Sequence, residues 1–424
     1  MQTRSGISRT LALAAILMSG PAIAGLSHAA TDTRSTVEVV PSGKIITPGS
    51  SVERPEDVGK RMHTNIGIFI PNGKASPSNT SPTGAGDTPA SMACIYKLVK
   101  VTPGCNPVTL TTVATGGSNV VVLVDAYDDP TALNDLTVFS KQYGLPAPTN
   151  KNFEIVYQTG AKPGVDSTGG WEFEESLDIE YAHALAPKAK IILVEANSNS
   201  YADLFAAVQV GAKTAEKAGG GEVSNSYGGG ESSNEERYES DFTGTGVVFF
   251  ASTGDSPGTE LPSVLSNVVA VGGTVIIRDK NNNFTGQNVW SSTGGGHSPY
   301  VPIPSYQSVI SNIVGTKRGV PDVALVAGPP GVWIYDTTLY SGRLLNWATG
   351  IGTSIASPST AAFVNNVGSF ADNSPAELTT IYANLGNAKD FTDITTGTCN
   401  NGSTNLVGWD YCTGVGTVYG KKGK

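Results

Sequence analysis

Apolar positions along the chain follow two periods. Residues 120–124, 191–194, 247–250 and 268–271 form short, nearly unbroken apolar runs. Runs of that length read as strands buried on both faces. Residues 133–143, 174–185, 204–218 and 354–370 read as helices, and Phe173, Leu177 and Tyr181 recur at helical spacing. The alternation predicts an α/β fold, a mostly parallel sheet with helices on both faces. No internal repeat interrupts it.

The amino-terminal part is patterned differently. Residues 30–110 are rich in Pro, Gly, Ser and Thr, loosest over 71–90, where Ser76-Pro77-Ser78-Asn79-Thr80-Ser81-Pro82 occurs. They read as an extension, surface loop or processed segment. Before them, Arg4 and Arg9 precede an apolar run over 11–18, and Ala22-Ile23-Ala24 and Ser27-His28-Ala29 offer small-residue cleavage signals. This is the pattern of a signal peptide over 1–29. The run is too short for a membrane anchor, and no adjacent Arg pair marks a twin-arginine route. The expected organisation is therefore 1–29 signal, 30–110 extension and 111–424 one large folded domain of a secreted protein.

Export changes the reading of the cysteines. Cys94, Cys105, Cys399 and Cys412 allow three connectivities. Local pairing, Cys94 with Cys105 and Cys399 with Cys412, is expected in an oxidising compartment. The spacing and the lack of His neighbours argue against zinc. The net charge is −9, and the only basic cluster is Lys421, Lys422 and Lys424, so nucleic-acid binding is unsupported. Only 15% of residues are charged, which limits self-repulsion when carboxylates protonate.

Three segments carry candidate chemistry. In Gly350-Ile351-Gly352-Thr353-Ser354-Ile355-Ala356-Ser357-Pro358, glycines deliver Ser354 to a helix N-terminus, where backbone N–H groups stabilise negative charge. Pro358 is placed in the first helical turn, where its missing N–H costs little. In 170–185, Glu174 and Asp178 are four apart on one helical face. Like charges there repel and raise one pKa, making Glu174 a candidate base oriented by Asp178. The alternative is a solvated acidic face shared with Glu172, Glu175 and Glu180. In 247–256 an apolar strand ends at Gly254-Asp255. Asp255 is either a turn residue or, if protonated, a donor to an oxyanion.

The order Glu174, Asp178, Asp255, Ser354 resembles the sedolisin family of serine-carboxyl peptidases, which have a subtilisin-like fold. The resemblance runs from about residue 120 to 420. It includes Val124-Asp125-Ala126-Tyr127-Asp128-Asp129-Pro130, Ser224-Asn225-Ser226-Tyr227-Gly228-Gly229, Val271-Gly272-Gly273-Thr274, Val320-Pro321-Asp322-Val323 and Gly408-Trp409-Asp410. It implies Ser354 as nucleophile, Glu174 as general base, Asp178 orienting Glu174, and Asp255 as the oxyanion contact. It also implies that Ser226-Tyr227-Gly228 pairs with substrate backbone. Tyr227 stands where many relatives carry Trp. The family's long folded propeptide has no counterpart of similar length in 30–110.

The resemblance further implies a calcium site, with Asp393 and Asp410 ligating through side chains and Ile394, Leu406 and Gly408 through backbone oxygens. All are hard oxygen donors, suited to Ca²⁺. A subtilisin-type alternative would use Asp125, His183 and Ser354. His183 lies five residues past Asp178 and faces elsewhere, so it reads as a packing or surface histidine, and Asp125 as a structural strand-end acid. A catalytically silent peptide-binding protein on the same fold is the other alternative. An esterase lacks support, because no Gly-x-Ser-x-Gly surrounds Ser354. The expected activity is endopeptidase cleavage of proteins and peptides in acid, by a monomer free of membrane once the signal is removed.

Overall fold

The strand Val120–Ala126 lies near the middle of the main sheet, and alternate residues serve two cores. Val120, Val122 and Val124 face one core, with Leu204, Phe205 and Val208 of the helix Tyr201–Lys217. Val121 and Leu123 face the other, with Phe173 and Leu177 of the helix Gly170–Leu185 and Phe363 of the helix Thr353–Val367. A strand buried on both sides needs no polar positions, which explains its unbroken valines. The computed structural model describes residues 35–40, 42–72, 81–82, 84, 86–340, 342–403 and 406–419. The signal-peptide reading of 1–29 and the Lys421, Lys422, Lys424 cluster fall outside them.

Seven strands run parallel through the sheet in the order Phe153–Tyr157, Lys190–Ala196, Val120–Ala126, Gly221–Asn225, Val247–Ser252, Val269–Arg278 and Val323–Val326. Antiparallel Phe284–Val289 adds to Val269–Arg278. The expected strands and helices are present, with ends shifted by a few residues, except that the run at 268–271 continues as the long strand Val269–Arg278. Cys94 pairs with Cys105 and Cys399 with Cys412, the local connectivity. No helix among the described residues is long and apolar enough to cross a membrane.

Residues 30–110 are not a loose extension where they are described. A second, antiparallel sheet joins Thr36–Val40, Gly43–Thr47, Gly67–Pro71, Arg343–Ile351 and Val332–Tyr340. Gly67 pairs with Ile351, so the early strand braces the chain that leads into Ser354. Ile66, Ile68 and Phe69 are buried, as is every residue of the helix Pro89–Ile95, whose first turn is closed by a Thr88–Ser91 capping box. High Gly, Pro and Ser content concealed these short apolar strands.

The acidic helix is also more deeply set than a solvated face would be. Every residue of Gly170–Leu185 is buried. Burial pushes Glu174, Glu175, Asp178 and Glu180 well above the usual carboxylate range, and mutual repulsion with neighbouring acids raises Glu174 and Glu175 further. Glu172 is pushed up to about 9, by burial and then by Asp166.

These groups bind protons more tightly folded than unfolded. Their contribution to stability is complete below the unfolded pKa, near 4, and is lost as pH rises toward the folded value. Each gives a slope of about 1.4 kcal/mol per pH unit across its window. The thermal midpoint should therefore be highest near about pH 4 and fall steadily toward pH 8. Calorimetry across that range checks it, and a midpoint that rises with pH contradicts protonated acids in the core.

Candidate active site

The carboxyl ends of the parallel strands bring the candidate residues together, as expected of an open α/β sheet. Asp125 is the penultimate residue of its strand, Ser226 follows Gly221–Asn225, and Asp255 follows Val247–Ser252. Ser354 is the second residue of the helix Thr353–Val367. Gly352 precedes that helix at φ 132°, a backbone region that L side chains rarely adopt. A Cβ on Gly352 would stand 2.1 Å from the Asn65 carbonyl oxygen and 2.7 Å from Asp255 Oδ2. Only glycine lets the backbone approach both.

Pro358 is the sixth residue of the helix, not part of its first turn. Its missing N–H would have bonded to the Ser354 carbonyl four residues back. Ser226 takes that place: its hydroxyl donates to Asp178 Oδ1 at 2.9 Å and lies 3.4 Å from the Ser354 carbonyl oxygen. The Ser354 hydroxyl donates to the Ser226 carbonyl at 3.1 Å.

Glu174, Asp178 and Asp125 form a buried carboxyl cluster behind Ser354. Both oxygens of Glu174 and of Asp125, and Oδ2 of Asp178, have no hydrogen-bond partner among the described residues. Glu174 is raised first by burial, then by Asp178 and Asp125, while the neighbouring Ser354 hydroxyl works the other way. Asp178 is raised by burial and Asp125, and opposed by Ser226. Burial alone pushes Asp125 up to about 8. Asp178 therefore holds Ser226 rather than Glu174, and its influence on Glu174 is electrostatic. Asp125, read from sequence as a structural acid, belongs to this cluster.

On the other side of Ser354, Asp255 Oδ1 accepts from Thr353 N at 2.7 Å and Thr353 Oγ1 at 2.9 Å. Burial and Glu260 push Asp255 up to about 7, against the Thr353 hydrogen bonds and His63. Ser354 N donates to the Asn65 carbonyl oxygen at 3.1 Å, and that oxygen and Asp255 Oδ2 both lie against Gly352. This is the arrangement that binds a carbonyl oxygen as it gains negative charge. Sequence reasoning missed Asn65, His63 and Glu260. Asn65 and His63 lie in the segment read as an extension, and Glu260 has no motif of its own.

His183 is elsewhere. It is buried, its Nε2 lies 2.8 Å from the Pro146 carbonyl, and burial lowers its pKa. Tyr227 is fully buried against Trp171, with its hydroxyl donating to Asn225 Oδ1 at 2.8 Å. Its side chain therefore packs beneath the strand rather than into an open pocket.

Sequence and fold comparisons agree. Kumamolisin of Bacillus sp. (strain MN-32) is 30% identical over 339 residues, covering 71% of this chain and 58% of that protein. The chain is homologous to kumamolisin and sedolisin. Sedolisin of Pseudomonas sp. (strain 101) is 32% identical over 177 residues, covering 37% of this chain and 28% of that protein. The chain thus spans little more than half the length of the first relative. A solved structure of Pseudomonas sedolisin, described as a serine-carboxyl proteinase complexed with two molecules of pseudo-iodotyrostatin, superposes with a TM-score of 0.61 at 23% identity. It covers 80% of this chain and 96% of that one, and gives the fold as subtilisin-like. No protein-family model matches the chain.

The expected calcium ligands lie in the carboxy-terminal loops, apart from Ser354. Gly408 N donates to Asp393 Oδ2 at 2.8 Å, and Asp410 accepts from Cys412 N, Thr413 N and Thr413 Oγ1. Gly408, two residues before Asp410, ties Asp393 to the same loop. Among the described residues no three His, Cys, Asp or Glu side chains group to hold a metal, so any site here relies on these two carboxylates and on backbone carbonyls. That all-oxygen donor set fits a hard cation.

Proposed function

We propose that the protein is a secreted serine-carboxyl endopeptidase that hydrolyses peptide bonds in proteins at acidic pH. The observation that carries this reading is one point of convergence. The Ser354 N–H donates to a carbonyl oxygen that shares the Gly352 approach with the Asp255 carboxyl, and buried carboxyls with no hydrogen-bond partner among the described residues lie behind the Ser354 hydroxyl. Export rests on the residue pattern of 1–29.

In this reading the Ser354 hydroxyl turns from the Ser226 carbonyl toward Glu174. The buried cluster of Glu174, Asp178 and Asp125 sheds protons one at a time, because each charge raises the cost of the next. Once ionised, Glu174 accepts the Ser354 proton as Oγ attacks the substrate carbonyl. Protonated Asp255 and the Ser354 N–H hold the resulting oxyanion. Glu174 returns the proton to the leaving amine, and water hydrolyses the acyl-enzyme by the same route. Asp393 and Asp410, with the carbonyls of Ile394, Leu406 and Gly408, would hold Ca²⁺, which would tie the loops together and take no part in bond cleavage.

Products from a denatured protein, identified by mass spectrometry, test the activity. Ser354→Ala, Glu174→Gln and Asp178→Asn should each reduce kcat by about 10³-fold or more. His183→Ala should keep most activity. The reverse pattern supports the histidine alternative, and no hydrolysis by a folded wild type supports the silent binding protein. Activity should also fall as pH rises through about 7, because Asp255 then ionises and loses its donor proton. Undiminished activity at pH 8 contradicts that role. Chelation of calcium-loaded protein should lower the thermal midpoint, since bound ion stabilises only the folded state, and Asp393→Ala should abolish the difference. Identical calorimetric transitions with and without chelator rule the site out.

A further inference from the structure

Asp255, Thr259 and Glu260 line one cavity with His63 and Asn65. Asn65 Nδ2 donates to Ser252 Oγ at 2.9 Å and to Glu260 Oε1 at 2.5 Å. The short strand His63–Thr64 pairs antiparallel with Tyr227–Gly228, and Gly229 and Leu261 exchange main-chain hydrogen bonds at 3.0 and 2.9 Å. Residues 255–262 themselves belong to no helix or strand, so side chains must help to hold them. Two carboxyls outside the catalytic cluster do so. Thr259 Oγ1 donates to Glu231 Oε1. Ser298 Oγ, on the strand Gly296–Pro302, donates to Glu231 Oε2 at 2.5 Å and lies 3.4 Å from Glu235 Oε1. Glu235 is buried, with Oε2 accepting from Ser232 N at 2.8 Å, whereas Glu231 is half-buried.

We propose that Glu231 and Glu235 share one proton and together clamp residues 255–262, holding Asp255 and Glu260 at the pocket next to Ser354. They are positioning residues for the reaction proposed above, and the inference rests on that reading of the site. Two carboxyls can hydrogen-bond to each other only when one carries a proton. Burial and a hydrogen bond to Glu231 push Glu235 up to about 8, against the hydrogen bonds from Ser232 and Ser298. The acids around the pair favour keeping that proton. Glu53 accepts from Gly230 N at 2.7 Å, and Glu231 raises Glu260. Of the nearby cations, Arg237 lies over the Tyr238 ring and His297 packs against Tyr411.

With one proton the pair carries one charge, a strong acceptor for Thr259 and Ser298. Without it, two charges face each other and repel. Glu235 is buried and tied to Ser232, so the half-buried Glu231 is the one that turns to water. Its departure releases Thr259, and with it the segment between Asp255 and Glu260. The clamp therefore opens as pH rises through about 8.

Hydrogen exchange of the full-length protein reads the clamp without turnover. Corrected for the intrinsic effect of pH, exchange at 258–261 should rise roughly fivefold between about pH 5 and about pH 8.5, while the helix Tyr201–Lys217 stays protected. Glu235→Gln donates an amide N–H to Glu231 at either pH and should remove the rise. KM for a peptide should increase over the same range in the wild type only, whereas kcat falls in both because Asp255 ionises. Wild-type exchange that does not change with pH overturns the inference, whether or not the variant folds. So does a rise that Glu235→Gln retains, or that the helix Tyr201–Lys217 shares. A working clamp in a protein that cleaves nothing supports the pair and overturns the proposed function. Cleavage by a protein whose 258–261 exchange ignores pH overturns this inference alone.

Discussion

A carboxylate cannot stay ionised in a dry interior without a partner, and this protein buries several that have none. Among the described residues, Glu174, Glu175, Asp125 and Glu195 have no hydrogen-bond partner on either oxygen, and Lys162 lowers the pKa of Glu195 against its burial. Such groups are held by protons instead of countercharges. The same condition that makes the helix Gly170–Leu185 tolerable in the core makes Glu174 a strong proton acceptor once the cluster ionises. Acid favours stability through these protons, whereas Glu174 acts as base only after the cluster has lost one, and the loss of activity above neutral pH comes from Asp255.

The second sheet turns this cluster into a site. Pairing of Gly67 with Ile351 fixes the approach to Gly352, and Gly352 lets Asn65 and Asp255 come close to Ser354. Pro358 leaves the Ser354 carbonyl for Ser226, whose hydroxyl also holds Asp178. Residues far apart in sequence therefore depend on one another for position.

Much of this was legible in the chain. Unbroken valines at 120–124 marked a doubly covered strand, and glycines before Ser354 marked a tight entry to a helix. The spacing of Glu174 and Asp178 put both on one face, although it could not tell a solvated face from a buried one. What stayed hidden depends on long-range contact. Asn65 has no motif, yet it reaches Ser252, Glu260 and Ser354. Asp125 looked structural because its role comes from the helix packed against it. Short strands such as His63–Thr64 carry too few residues for a period to show.

Protons shared among buried carboxyls hold the site together. Infrared difference spectroscopy of the folded protein reads this directly, through the C=O stretch of un-ionised carboxyl groups. That band should be present at neutral pH in the wild type and reduced in Glu174→Gln and in Asp178→Asn. Complete ionisation of every carboxyl by about pH 6 in the folded protein would contradict it.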